Sequence, residues 1–253
     1  MRIGFAVLAI LAACGGDDGG GFPVGGGGND GGFTFPDGGV VSDSAPTDGT
    51  TSGDATPAPV DAALIVGRVC LATDPRDLNG CADTGAAGLT VRLGDQVTTT
   101  ADDGSFTIAA AGGTWRVSGA NIVTSIMALA DYEIPAITRT TFDAMLADSL
   151  DMGSLNPGEG SVMIQVIRNG TGLDTATASS TPPSAFQPFY DNASSPTDWN
   201  QMVGTGTGGT IWLAGLDVGT ASVTVSHAAD SPITRGGLQV VDGAITFTTV
   251  IFP

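Results

Sequence analysis

The chain has 253 residues, including 39 Gly and 14 Pro, and sets 26 acids against eight bases and one His, for a formal charge of −18. All eight bases are arginines. This excludes Schiff-base lysine chemistry, a phosphate-loop lysine and a Lys–Asn isopeptide crosslink, and with His227 alone no multi-histidine metal site can form within the chain. Such a surface repels phosphate backbones and argues against nucleic acid as a partner.

Met1-Arg2 supplies one positive charge, and Ile3 to Leu11 is mostly apolar, too short to span a bilayer but suited to a signal-peptide core. Leu11-Ala12-Ala13-Cys14 follows, then Gly15. This stretch resembles a bacterial lipoprotein signal. The resemblance implies that residues 1–13 are a signal peptide and that Cys14 is lipidated and becomes the new N-terminus. It places the protein in the bacterial cell envelope, and Gly15 in place of Asp points to the outer membrane. Two or more acyl chains anchor stably where one does so marginally. The alternative is a plain secretory peptide with a fortuitous cysteine.

Residues 15–61, with 15 Gly, five Pro, eight Asp and no base, have few large apolar residues. Low hydrophobicity and charge of one sign cannot offset the entropy of ordering, so 14–61 reads as a lipidated cysteine and a disordered tether. As a flexible coil it would reach roughly 35–40 Å. The run Gly25 to Gly32 has no following Lys and no preceding strand, so it is not a phosphate-cradling loop.

From Ala63 the pattern becomes β. Ala63 to Val69 reads as a strand, followed by a polar loop holding Cys70 and Cys81. With Cys14 lipidated, this even remainder in an exported protein suggests one disulfide rather than two free thiols. Leu89, Val91 and Leu93 alternate with Thr90 and Arg92, the period-2 mark of a half-buried strand. Gln96 to Thr100 and Ser105 to Ala109 flank Asp103-Gly104, a hairpin signal. Thr114–Ser118 and Ile122–Met127 complete the set. The order Val66-Gly67-Arg68-Val69, Gly88-Leu89-Thr90-Val91 and Thr98 to Phe106 resembles the carboxypeptidase regulatory-like, or transthyretin-like, β-sandwich. That family implies a non-catalytic accessory fold over 62–130.

Phe142, Met145, Leu146 and Leu150 share one face of a helix predicted over 138–150, capped by Thr138 or Thr140 and ended by Gly153 and Pro157. Residues 131–157 therefore read as a linker with one helix packed between two domains. Gly160 to Ile167 opens a second β domain, 158–253, which ends in a hairpin at Asp242-Gly243. Gly160-x-Val162 echoes Gly67-x-Val69, so this domain looks like a diverged copy of the first sandwich.

Chemistry is sparse. His227 has Asp230 nearby, but there is no G-x-S-x-G elbow. Asp74, Asp77, Asn79 and Asp83 crowd one loop; alignment on Gly80 excludes an EF-hand, leaving either an irregular Ca²⁺ site or solvated turn carboxylates. Phe189, Tyr190, Asp191, Trp199 and Asn200 offer aromatic faces beside amide and carboxylate groups, as sugar hydroxyls require, or anchor a long loop.

The fold expected is mainly β: two Ig-like or transthyretin-like sandwiches joined by one short helix after a Gly/Asp-rich tether. The protein expected is a monomeric, non-enzymatic envelope lipoprotein, held to the membrane by its lipid, with a structural or adhesive role and an envelope protein as partner. The alternative is a glycan- or peptide-binding module on the cell surface using the 186–201 loop.

Overall fold

The computed structural model describes residues 63–82, 86–127, 132–151, 153–201 and 204–253, with Asn79 by its backbone only. The signal segment, Cys14 and the tether lie outside the described residues, as does Asp83. The chain is mainly β, with one α-helix among the described residues.

The first group of strands is β1 (Leu64–Asp74), β2 (Asp77–Cys81), β3 (Thr90–Leu93), β4 (Gln96–Thr99), β5 (Ser105–Ala109), β6 (Trp115–Ser118), β7 (Ser125–Met127) and β8 (Glu133–Ala136). β1 pairs antiparallel with β5 and β2 and parallel with β8. β3 lies between β4 and β6, and β6 passes the ladder on to β7. The two layers close on a core of Val69, Leu89, Val91, Leu93, Phe106, Ile108, Trp115 and Val117. These are the residues that alternation turns inward.

After the helix α1 (Arg139–Leu150) come β9 (Glu159–Arg168), β10 (Thr171–Gly172), β11 (Thr177–Thr181), β12 (Phe189–Tyr190), β13 (Thr210–Asp217), β14 (Gly219–Ser226), β15 (Ile233–Val240) and β16 (Ile245–Phe252). β12, β13, β9 and β16 form one layer and β11, β14 and β15 the other. Val162, Ile164, Val166, Ile211, Leu213, Val223, Val225 and Val250 fill the space between them. The opening strands of the two groups have matching neighbours: β1 and β9 each have an antiparallel and a parallel partner.

Two sandwich cores therefore form as expected, but they share a sheet. β7 pairs parallel with β16, from Ile245↔Ser125 to Phe247↔Met127, joining both groups into one nine-stranded sheet. The described residues belong to a single compact unit. The helix also does more than link. Phe142, Met145 and Leu146 pack with Met163, Phe189, Trp199, Trp212 and Phe247 on the face of the second group's sheet opposite its β11–β14–β15 partner. Cover on both faces explains why β9 is buried from Gly160 to Val166. Thr138 is the N-cap, its hydroxyl accepting from Thr141 N at 3.0 Å, and Asp151 closes the helix in the left-handed region at φ 54°.

Three local expectations are corrected. The loop assigned to Cys70 and Cys81 is a hairpin of β1 and β2, and the two cysteines form a disulfide across it, with Cα atoms 5.0 Å apart. Both Asp-Gly turns form, but neither joins paired strands. Ala101–Gly104 carries the chain from β4 to β5, and Val241–Ala244 carries it from β15 to β16, each time between opposing sheets. The turn dictates the reversal, while burial of the flanking alternating faces dictates the pairing. Finally, β8 has no alternating pattern in sequence. Its Ile134, Pro135 and Ala136 are buried beside β1.

Candidate functional site

Asp74 and Asp77 of one side-chain set singled out in the sequence come together with Asp191 of the other. The β1–β2 hairpin tip projects Arg76 toward the segment after β12. Its Nη1 donates to Ala193 O at 2.6 Å, while Thr210 Oγ1 donates to Arg76 O at 2.8 Å. Between the hairpin tip, β10, Asp191 and the 206–208 turn lies a groove of about 610 Å³, lined by Asp74, Arg76, Asp77, Thr171, Asp191 and Gly208 among others.

Arg76 settles the charge there. Its backbone N and Nε reach Asp74 Oδ1 at 2.9 and 3.1 Å, and its Nη2 reaches Oδ2 at 2.9 Å. Burial opposes the Asp74 charge, but the Arg76 hydrogen bonds and positive charge outweigh it and hold the carboxyl below its ordinary value. The bond to Asp74 in turn raises Arg76. Of the four residues read as a possible Ca²⁺ set, Asp74 is thus held by the Arg76 guanidinium and Asp77 lines the groove, while Asp83 and the side chain of Asn79 lie outside the described residues. Among the described residues the convergent ligand-type group is Cys70, Cys81 and Glu133, and the disulfide takes both of its sulfurs.

Asp191 is 8 % exposed and accepts from Gly206 N at 2.5 Å. Burial raises its carboxyl above the ordinary value, against the lowering effect of the turn's backbone N–H groups. Its role is to gather the 206–210 turn. Gly208 is required there because a Cβ would lie 2.3 Å from Arg76 O and 2.5 Å from Asp191 Oδ2.

The aromatic set is a packing anchor. Phe189, Tyr190 and Trp199 are 1, 6 and 4 % exposed. Trp212 is the hub, with ring centroids 5.1 Å from Phe189, 5.8 Å from Trp199 and 6.1 Å from Phe142. No ring in the set has a face left for a sugar, which corrects the stacking platform expected on the 186–201 loop. Tyr190 and Asn200 exchange backbone hydrogen bonds at the neck of that loop. Ser149, at the end of α1, accepts from Trp199 N and donates to Thr197 O, both at 3.2 Å.

His227 sits at the end of β14 with Nδ1 2.6 Å from Asp230 Oδ2, which Arg168 also engages. Its ring meets the edge of Phe252 at 6.2 Å. Among the described residues no serine, threonine or cysteine side chain hydrogen-bonds His227. Asp230 is held below its ordinary value because the His227 and Arg168 hydrogen bonds outweigh its burial.

Sequence reasoning missed Arg76. The available signal was its place between Asp74 and Asp77 in a chain with eight bases.

No family model matches this chain and no curated protein matches it. Among solved structures it is similar to GBS52, the minor pilin of the Gram-positive pathogen Streptococcus agalactiae. The identity is 12 %, over 74 % of this chain and 94 % of that one, with a TM-score of 0.26. A likeness that low carries no weight about this chain's fold or role.

Proposed function

We infer that the protein is a lipid-anchored component of the bacterial envelope that holds a non-catalytic β unit away from the membrane, with a structural or adhesive role. The observation that carries this reading is an order in the sequence: an apolar stretch, Leu11-Ala12-Ala13-Cys14, a base-free stretch to residue 61, then strands from Leu64. The β unit suits display. Its sandwiches share a sheet, its long loop is pinned by Trp199 and Ser149, and its cysteines are crosslinked. Arg76 and Thr210 tie the hairpin to the second group of strands, and His227 is hydrogen-bonded to Asp230.

The test is fractionation of cells expressing the wild-type chain or Cys14→Ser. Wild type is expected in the membrane pellet and Cys14→Ser in the soluble envelope fraction. Equal distribution of the two would overturn the reading.

A further inference from the structure

We propose that Arg92 and Arg116 form a binding site for a divalent tetrahedral oxyanion, the chemistry of a phosphate monoester. The two arginines are direct cross-strand partners on β3 and β6, and both are exposed. Like charges facing one another across strands destabilise a sheet, and their Cβ atoms stand only about 4.5–5.5 Å apart. The cost is avoidable in a chain with 26 acids. Among the described residues no carboxylate forms an ion pair with either arginine and no hydrogen bond engages their side chains; Arg139 and Arg235 likewise have no side-chain partner there, but neither faces a second arginine across a strand pair.

The pair opens on a recess of about 340 Å³ bordered by Gly94, Gly113, Thr114 and Gln239 and also lined by the apolar Ile126 and Val241 and by Trp115. The recess is built by a close approach of backbones. Gly94 has φ 55°, a Cβ on it would lie 2.5 Å from Gly112 O, and a Cβ on Gly113 would lie 3.1 Å from Gly94 Cα. Glycines here leave bare backbone beside two guanidinium forks. Guanidinium binds phosphate oxygens through paired N–H donors. A divalent anion neutralises both charges at once, whereas a single carboxylate would leave one uncompensated. The site stands apart from the Arg76 groove and does not depend on the anchoring reading.

The test uses the full chain in detergent, with inorganic phosphate as the probe and sodium chloride at equal ionic strength as the control. Phosphate at about 20 mM is expected to raise Tm by about 2–4 °C over the control. Arg92→Gln with Arg116→Gln should abolish that shift, Arg92→Lys should keep part of it, and Arg235→Gln should leave it intact. In phosphate-free buffer Arg92→Gln alone should melt above wild type, because the repulsion is gone. No shift beyond the chloride control, or an equal shift in the double variant, would overturn the proposal. So would Arg92→Gln melting below wild type without phosphate.

Discussion

Arg76 Nη1 donates to Ala193 O at 2.6 Å across 117 positions of the chain, clasping the first hairpin to the loop that follows β12. The same guanidinium holds Asp74, and Thr210 Oγ1 closes the clasp from the other side by donating to Arg76 O. Arg76→Ala strips the side-chain bonds to Ala193 and Asp74, leaving the Ala193 carbonyl without its donor and the Asp74 carboxylate with only the backbone N–H of residue 76. The expected loss is about 2–4 kcal/mol, read as a lower urea midpoint with an unchanged m-value. Arg76→Lys cannot reproduce the fork and should recover only part of it.

Gly208→Ala probes the same seam by steric means. The added methyl must displace Arg76 O, which is backbone, or the Asp191 carboxylate, which is buried and held by Gly206 N. A fall in stability of about 1–3 kcal/mol is expected, in the range of forced overpacking. An unchanged midpoint would show that the turn and hairpin are not in contact.

Asp74 and Asp191 should respond to pH in opposite senses. The Asp74 carboxyl is held below its ordinary value, so its contribution is present above the unfolded value of 3.8 and is lost as pH falls through the lower folded value. Asp191 is raised, so its contribution is full below 3.8 and is lost as pH rises through the higher folded value. Relative to wild type, Asp74→Asn should therefore fare worse at neutral than at acid pH, and Asp191→Asn should fare better. Tm profiles of the three proteins across that range check both signs.

Reducing the Cys70–Cys81 bridge, or replacing both residues by Ala, should cost about 2–3 kcal/mol, as expected for a short closed loop. The measurement is the urea midpoint with and without reductant. The double variant should be insensitive to reductant.

What sequence reveals here is whatever is local. The α1 face of Phe142, Met145 and Leu146, its Thr138 cap and the inward set Leu89, Val91 and Leu93 follow from periodicity and capping chemistry within a few residues. The disulfide follows from cysteine parity. The parallel pairing of Ile245 with Ser125 links distant segments that carry no mark of each other, so the shared sheet is invisible before folding. Asp103-Gly104 and Asp242-Gly243 announce reversals without saying whether the next strand pairs or crosses to the facing sheet. Trp199 and Phe189 read equally well as platform or anchor until burial decides.

The central claim is that Cys14 carries the anchor. Intact mass spectrometry of the chain extracted from membranes tests it most directly. The account predicts a chain beginning at Cys14 and heavier than residues 14–253 by a lipid modification. A chain beginning at any other residue, or one beginning at Cys14 with its unmodified mass, would contradict it.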